Sequence, residues 1–265
     1  MKNNNKFSQN RFSREPRKTA KTGWNELASW YTGWAGSGSK FHKKFGIPQV
    51  MDFINISPGV RVLDIGCGVG ALREAVEQKK GLYVGIDKSM RMIQEAKRKS
   101  RGNARFYVAD AVSKNGIVLS NDNNAQKFDR AVFLFSIQDM DNETAAFKNV
   151  SDLLVQNGEM VIFMLHPIFR IPRMTGWGTD IMRKLTYRRI DIYRTTTTIP
   201  LPQYTERGYV TSFFYHRPLE KYIRSLSVAG FTLTNMAEIY SSDQKPESEF
   251  PHFLVIKAKK LNSHG

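Results

Sequence analysis

Arg61-Val62-Leu63-Asp64-Ile65-Gly66-Cys67-Gly68-Val69-Gly70 is the stretch on which the fold turns. Val62, Leu63 and Ile65 read as a buried strand. Three glycines at alternate positions then lead the chain into a helix starting near Ala71. Glycine suits that turn because the backbone needs positive φ and must be bare enough for a ligand to approach. The spacing Gly66-x-Gly68-x-x-Ala71 also satisfies the dinucleotide fingerprint, so a nicotinamide cofactor is the competing reading. Asp64 tips the choice. A carboxylate two positions before the first glycine repels a pyrophosphate and welcomes a cationic ligand with a free amino group.

A second acid supports that choice. Gly81-Leu82-Tyr83-Val84-Gly85-Ile86-Asp87 reads as the next strand, with Asp87 at its carboxyl end. An acid there, about 20 residues beyond a glycine turn, can accept hydrogen bonds from both ribose hydroxyls. Together the two segments resemble the class I S-adenosylmethionine-dependent methyltransferases.

Residues 60–165 alternate strand and helix, which argues for a parallel sheet. Strands are expected at 60–65, 82–86, 105–108, 129–135 and 159–165, with Gly158 closing the helix before the last of these. Strands 231–239 and 253–256 complete the set. The resemblance makes the whole an α/β, Rossmann-like seven-stranded methyltransferase sheet. Helices cover both faces, an insertion follows the fifth strand, and the final strand enters antiparallel.

Ligands in such sheets bind at the carboxyl ends of the strands. Asp64, Asp87, Asp110 and the loop from Phe135 to Asp139 fall at that edge. The resemblance implies S-adenosyl-L-methionine held by Gly66, Cys67, Gly68, Gly70, Asp87 and the neighbouring Lys88. Asp110 and Ala111 would meet the adenine, and Phe135 would offer backbone to the methionine amine. An amphipathic helix carrying Leu27, Trp30 and Tyr31 precedes a looser stretch, 32–39. Tyr31 and His42 are candidates to line the pocket from above.

Between His166 and the next clear helix lie about fifty residues. A structureless loop of that length is unusual in a compact domain unless it has a function. Residues 190–195 and 209–215 alternate and are expected to pair as a hairpin, making 167–215 a lid for substrate recognition. His166, at a strand's carboxyl end, is the candidate general base, because imidazole titrates near neutrality. Gln138, Arg170, Arg173 and His216, with His42, are the candidate acceptor contacts. Arg188 and Arg189 add to the lid's positive surface. No His/Cys cluster has metal-ligand spacing, so no metal is expected.

The segment Leu165-His166-Pro167-Ile168-Phe169-Arg170-Ile171-Pro172-Arg173 narrows the resemblance to one bacterial branch of the family. Trp30-Tyr31, Phe41-His42, Gly176-Trp177-Gly178 and His216-Arg217-Pro218-Leu219 point the same way. These motifs mark the branch without naming a substrate. Ser136-Ile137-Gln138-Asp139 departs from it, since the branch more often has a small residue and Asn there.

The chain has 265 residues, 41% of them hydrophobic, enough for one large domain. Its one cysteine, Cys67, excludes an internal disulfide and suits a reducing compartment, so a cytoplasmic location is expected. No apolar run is long enough to span a membrane. The net charge of +16 is uneven. Residues 1–21 hold seven Lys or Arg against one Glu, and 167–217 hold nine against three acids. Residues 1–21 read as a disordered basic tail and 22–265 as the methyltransferase domain. The expected activity is methyl transfer to oxygen or nitrogen of a small molecule. RNA is the alternative acceptor because of the basic segments. A cofactor-binding regulatory protein without turnover is the third reading.

Overall fold

The computed structural model describes residues 23–35, 38–119, 127–205, 208–242 and 244–261. The expected tail, 1–21, lies outside them. The first helix, α1 (Trp24–Ala35), extends further than the pattern around Leu27 predicts, taking in the start of the stretch read as loose. A π-helical turn, His42–Gly46, runs directly into α2 (Ile47–Ile54), so Pro48 sits in the first turn of α2 without opening the helical run.

The central sheet takes β1 (Arg61–Ile65), β2 (Leu82–Asp87), β3 (Arg105–Val108), β4 (Phe128–Leu134) and β5 (Leu154–Leu165). Helices α3 (Arg73–Gln78), α4 (Met90–Lys99) and α5 (Glu143–Leu153) lie between them in sequence. The insertion after β5 holds β6 (Thr175–Asp180), β7 (Leu185–Ile190), β8 (Thr197–Thr205) and β9 (Gly208–His216). The chain then forms α6 (Leu219–Val228), β10 (Phe231–Ile239) and β11 (Phe253–Lys260).

Seven strands pair in the order β10-β11-β5-β4-β1-β2-β3. β1 to β5 pair in parallel, and β11 enters antiparallel between β5 and β10. Alternate residues of β1 feed two separate cores. Val62 packs with Val50, Ile54, Val76 and Ile93, while Leu63 and Ile65 pack with Phe147, Val150, Tyr222 and Leu226. Helices therefore cover both faces, which explains why β1 reads as nearly continuous apolar sequence. β1 lies between β2 and β4, so connections leave it in opposite directions and open a crevice at its carboxyl end.

Two local readings change. Gly158 does not close a helix: α5 ends at Leu153, Asn157 takes a left-handed conformation, and Gly158 sits inside β5. A Cβ there would come within 2.9 Å of the Val155 carbonyl oxygen, so the irregularity between Leu154 and Glu159 admits only glycine. The insertion also pairs differently. Residues 190–195 do not face 209–215; β8 does, and β7 pairs with β6. β8 carries Pro200 and Pro202, two residues apart, opposite Phe213 and Thr211. Both therefore present the missing N–H on the same side of the strand, which a two-stranded ribbon tolerates because both its strands are edges. Among the described residues, no helix is long and apolar enough to cross a membrane.

Candidate active site

The glycine turn is shaped by its neighbours. Gly66 has φ +68°, and a Cβ on it would lie 2.5 Å from Cβ of Ser136, which crosses from the end of β4. Ser136 Oγ in turn donates to the Ile65 carbonyl, locking the carboxyl ends of β1 and β4 together. Gly68 has φ +53° and faces open space, with Tyr31 at 3.8 Å from a notional Cβ. Gly70 faces inward, packed against Phe106, and does not line the cavity. Cys67 is buried beside it, and burial pushes its thiol well above the ordinary range, which suits a packing residue.

Three acids stand at the strand ends. Asp87 accepts from the Gly68 amide at 2.9 Å and from the Ser89 amide at 2.8 Å, one on each oxygen. A carboxylate has about four acceptor positions, so both oxygens keep capacity for a pair of ligand hydroxyls. Asp64 is buried and accepts from the Tyr83 hydroxyl at 2.7 Å. Burial raises its pKa to about 7. A ligand ammonium would supply the charge this carboxylate lacks. Asp110 caps its own turn at the Val112 amide and pairs with Lys88 at 2.6 Å.

The loop after β4 closes the edge. Phe135 has φ +61°, unusual for an aromatic residue, and packs against His42, Phe163 and Phe253. Gln138 is committed to the fold. Its amide donates to the Leu165 carbonyl at 3.1 Å and its carbonyl accepts from the Leu165 amide at 3.0 Å. Asp139, one residue on, was not singled out in sequence. Burial, followed by the charge of Asp87, raises its pKa to about 8. Behind it, buried Arg217 donates to the Met140 carbonyl at 2.6 Å and meets Glu143 at 2.5 Å.

Helix α1 and the β8–β9 hairpin cover this edge. The Gly23 amide donates to the Thr211 carbonyl at 3.2 Å, and Ser89 Oγ donates to Asn25 at 2.8 Å. Beneath them lies a cavity of about 800 Å³, within the range of small-ligand sites. It brings together Tyr31, His42, Asp64, Gly66, Cys67, Gly68, Asp87, Lys88, Asp110, Ala111, Phe135 and Gln138. It also gathers residues that sequence reasoning missed: Trp30, Asp139, Leu201, Gln203, Phe214 and Tyr215. His42 is neutral there. Its Nδ1 pairs with Ser39 Oγ at 2.8 Å, and burial lowers its pKa to about 4.

Besides Gly70, four of the expected residues lie elsewhere. His166 is fully buried, outside the cavity lining. Its Nδ1 accepts from the Ile168 amide at 3.2 Å, which leaves the proton on Nε2, 3.0 Å from Glu238 of β10. Both nitrogens are engaged, so no lone pair remains to take a substrate proton, and the reading of His166 as a base is corrected to a brace. Arg170 turns away to His252. Arg173 is exposed and outside the lining. His216 is buried with Nε2 donating to the Tyr193 carbonyl at 2.7 Å. The positive substrate surface expected from the lid is therefore absent from the cavity wall.

Residues 62–158 match the family model described as a methyltransferase domain. These residues carry a methyltransferase domain. An S-adenosylmethionine-dependent methyltransferase from Mesorhizobium loti has the same fold, with a TM-score of 0.63 at 21% identity, covering 80% of this chain and 96% of that one. Among curated relatives, the 235L protein of Invertebrate iridescent virus 6 is 30% identical over 114 residues, 42% of this chain and 40% of that protein. Phosphoethanolamine N-methyltransferase 1 of Zea mays is 39% identical over 70 residues, 25% of this chain and 14% of that protein. The matches thus span well under half the length of these curated relatives.

Proposed function

We propose that the methyltransferase domain binds S-adenosyl-L-methionine along the glycine turn and moves its methyl group to oxygen or nitrogen of a small molecule. One observation carries this reading. One cavity, partly open to solvent, joins the glycine turn and the strand-end acids to a wall of α1 and β8–β9 side chains that the turn does not need. When bound, the cofactor supplies a methyl group already activated on a sulfonium. Asp87 holds the ribose with its spare acceptor capacity, Asp64 faces the amino group, and Asp110 with Ala111 borders the adenine. Gly66 and Gly68 leave the backbone bare at the closest approach. The chain's own task is to align an acceptor and keep water out, and alignment is a large part of the rate.

The cover of α1 and β8–β9 over the strand ends favours a compact acceptor over RNA. The test combines calorimetric titration with S-adenosylhomocysteine and incubation with methyl-labelled cofactor against separate metabolite and RNA pools. Tight binding and label in the metabolite fraction are expected. Label only in RNA replaces the acceptor class, and a preference for nicotinamide dinucleotide replaces the cofactor.

A further inference from the structure

We propose that the acceptor is a primary or secondary amine, bound as its ammonium ion, and that Asp139 is the residue that receives it. This rests on the methyltransferase reading and specifies its acceptor. The first support is the balance of charge around the cavity. Among the described residues its acids are Asp64, Asp87, Asp110, Asp139 and Asp141, and its one basic side chain of full charge, Lys88, is already paired with Asp110. His42 contributes none, because it is neutral. Arg170, Arg173 and Arg188 of the insertion lie outside its lining. Among the described residues, no unpaired cationic side chain lines the cavity to receive an anionic acceptor.

The second support is the state of Asp139 itself. Asp64, Asp87 and Asp110 each have a polar partner within the fold. Asp139 borders the same cavity, and among the described residues its carboxylate makes no hydrogen bond or ion pair. Its position is nevertheless fixed. The Asp139 amide donates to the Ser136 carbonyl at 3.0 Å, and Arg217 holds the next residue through the Met140 carbonyl. Asp139 is half-buried at the cavity wall, so its carboxylate is open to a cation that enters the cavity.

The third support is the walls. Trp30, Tyr31, Phe135, Phe214 and Tyr215 line the cavity. Aromatic faces attract an ammonium ion and also accommodate its hydrocarbon body. The charged or titratable groups felt at this place are Asp87 from β2, Tyr31 from α1 and Tyr215 from β9, while Arg217 behind Asp139 is already paired with Glu143. None supplies unpaired positive charge.

The same carboxylate can start the chemistry. An ammonium nitrogen has no lone pair, so it must first lose a proton. Burial, which raises the pKa of Asp139, makes the carboxylate a better proton acceptor than an ordinary aspartate. The proton passes to an Asp139 oxygen. The freed nitrogen pair forms the new C–N bond as the C–S bond breaks, and that bond's electrons stay on sulfur. Positive charge moves from sulfur to nitrogen, and Asp139 returns its proton to water.

The experiment uses the full chain saturated with S-adenosylhomocysteine. Binding of matched probes sharing a phenylalkyl skeleton and ending in an amine, an alcohol or a carboxylate is followed by calorimetry, with a short RNA alongside. Asp139→Asn and Asp139→Glu are compared with the parent, and thermal unfolding confirms that each is folded. Amines should bind at least tenfold tighter than their alcohol and carboxylate counterparts. Asp139→Asn should abolish that preference, Asp139→Glu should keep part of it, and all three proteins should bind S-adenosylhomocysteine alike. Equal or better binding of alcohols, carboxylates or RNA overturns the proposal, as does the absence of amine binding or an amine preference that survives in Asp139→Asn. Failure to bind S-adenosylhomocysteine overturns the cofactor reading first, and is seen separately in the same titrations.

Discussion

The two sides of the cavity are built on opposite terms. On the glycine-turn side, each acid is held by the chain: Asp87 by two amides, Asp64 by Tyr83, Asp110 by Lys88. On the side facing α1 and β9, Asp139 has a fixed backbone and a carboxylate without a partner. The first arrangement is pre-organised for one ligand of constant shape. The second keeps one charge unsatisfied for a ligand whose shape the aromatic walls select. The contrast explains why one surface can be common to a fold while the other belongs to a particular chain.

The sharpest way to break the contrast is at Asp87. Asp87→Ala removes a charged acceptor for two ligand hydroxyls, each such bond worth about 1.5–3 kcal/mol. S-adenosylhomocysteine affinity should fall at least about a hundredfold by calorimetry in a variant that still unfolds cooperatively. Unchanged affinity would remove Asp87 from the binding surface. The opposite side is broken through its support. Arg217→Met takes the close ion-pair partner from buried Glu143, leaving it Ser225 and the distant Lys221, and releases the Met140 carbonyl. Breaking a buried pair costs about 3–5 kcal/mol, so the melting temperature should drop by many degrees. A drop of only a degree or two would show that the pair adds little.

Titration separates the sides more finely. Asp64 has its pKa raised to about 7 in the free protein. A ligand amino group binds the ionised carboxylate, and that form becomes scarcer as pH falls through 7. S-adenosylhomocysteine affinity should therefore weaken below pH 7, approaching about tenfold per unit. Asp64→Asn should bind more weakly and flatten the profile. A parent profile flat between pH 5 and 8 would refute the pairing. The smallest effect belongs to His166. His166→Asn should lower stability by about 1–2 kcal/mol through its lost bonds and leave the pH dependence of turnover unchanged. A lost basic limb in that profile would restore His166 as a base.

The legible half of this site was local. Asp64, the glycines and Asp87 lie within 24 positions of one another, and strand-end acids follow from the alternation of strand and helix. The sheet order and the antiparallel last strand agree with the resemblance. What sequence could not show was distance. Nothing beside His166 announces Glu238, which reaches it from the opposite edge strand. Nothing beside Gln138 shows that both its amide atoms are spent on Leu165. Asp139 looks like any loop acid until α1 and β9 are laid over it. Pro200 and Pro202 are unusual inside a strand, and a single sequence does not reveal that the ribbon holding them has only edges.

The bond between Gly23 and Thr211 has a consequence for how the cavity comes to exist. The glycine turn and its acids are neighbours along the chain, and β1 with β2 can bring them together early. Helix α1 precedes the whole sheet in the chain, yet the hairpin it docks on follows the fifth strand. Chain-closure entropy disfavours contacts made over such lengths until intervening structure has drawn the ends together. The helix must therefore wait for the sheet and for β8–β9. The chain assembles a surface for the cofactor before it has a chamber for the acceptor, and the chamber closes as one of the last acts of folding.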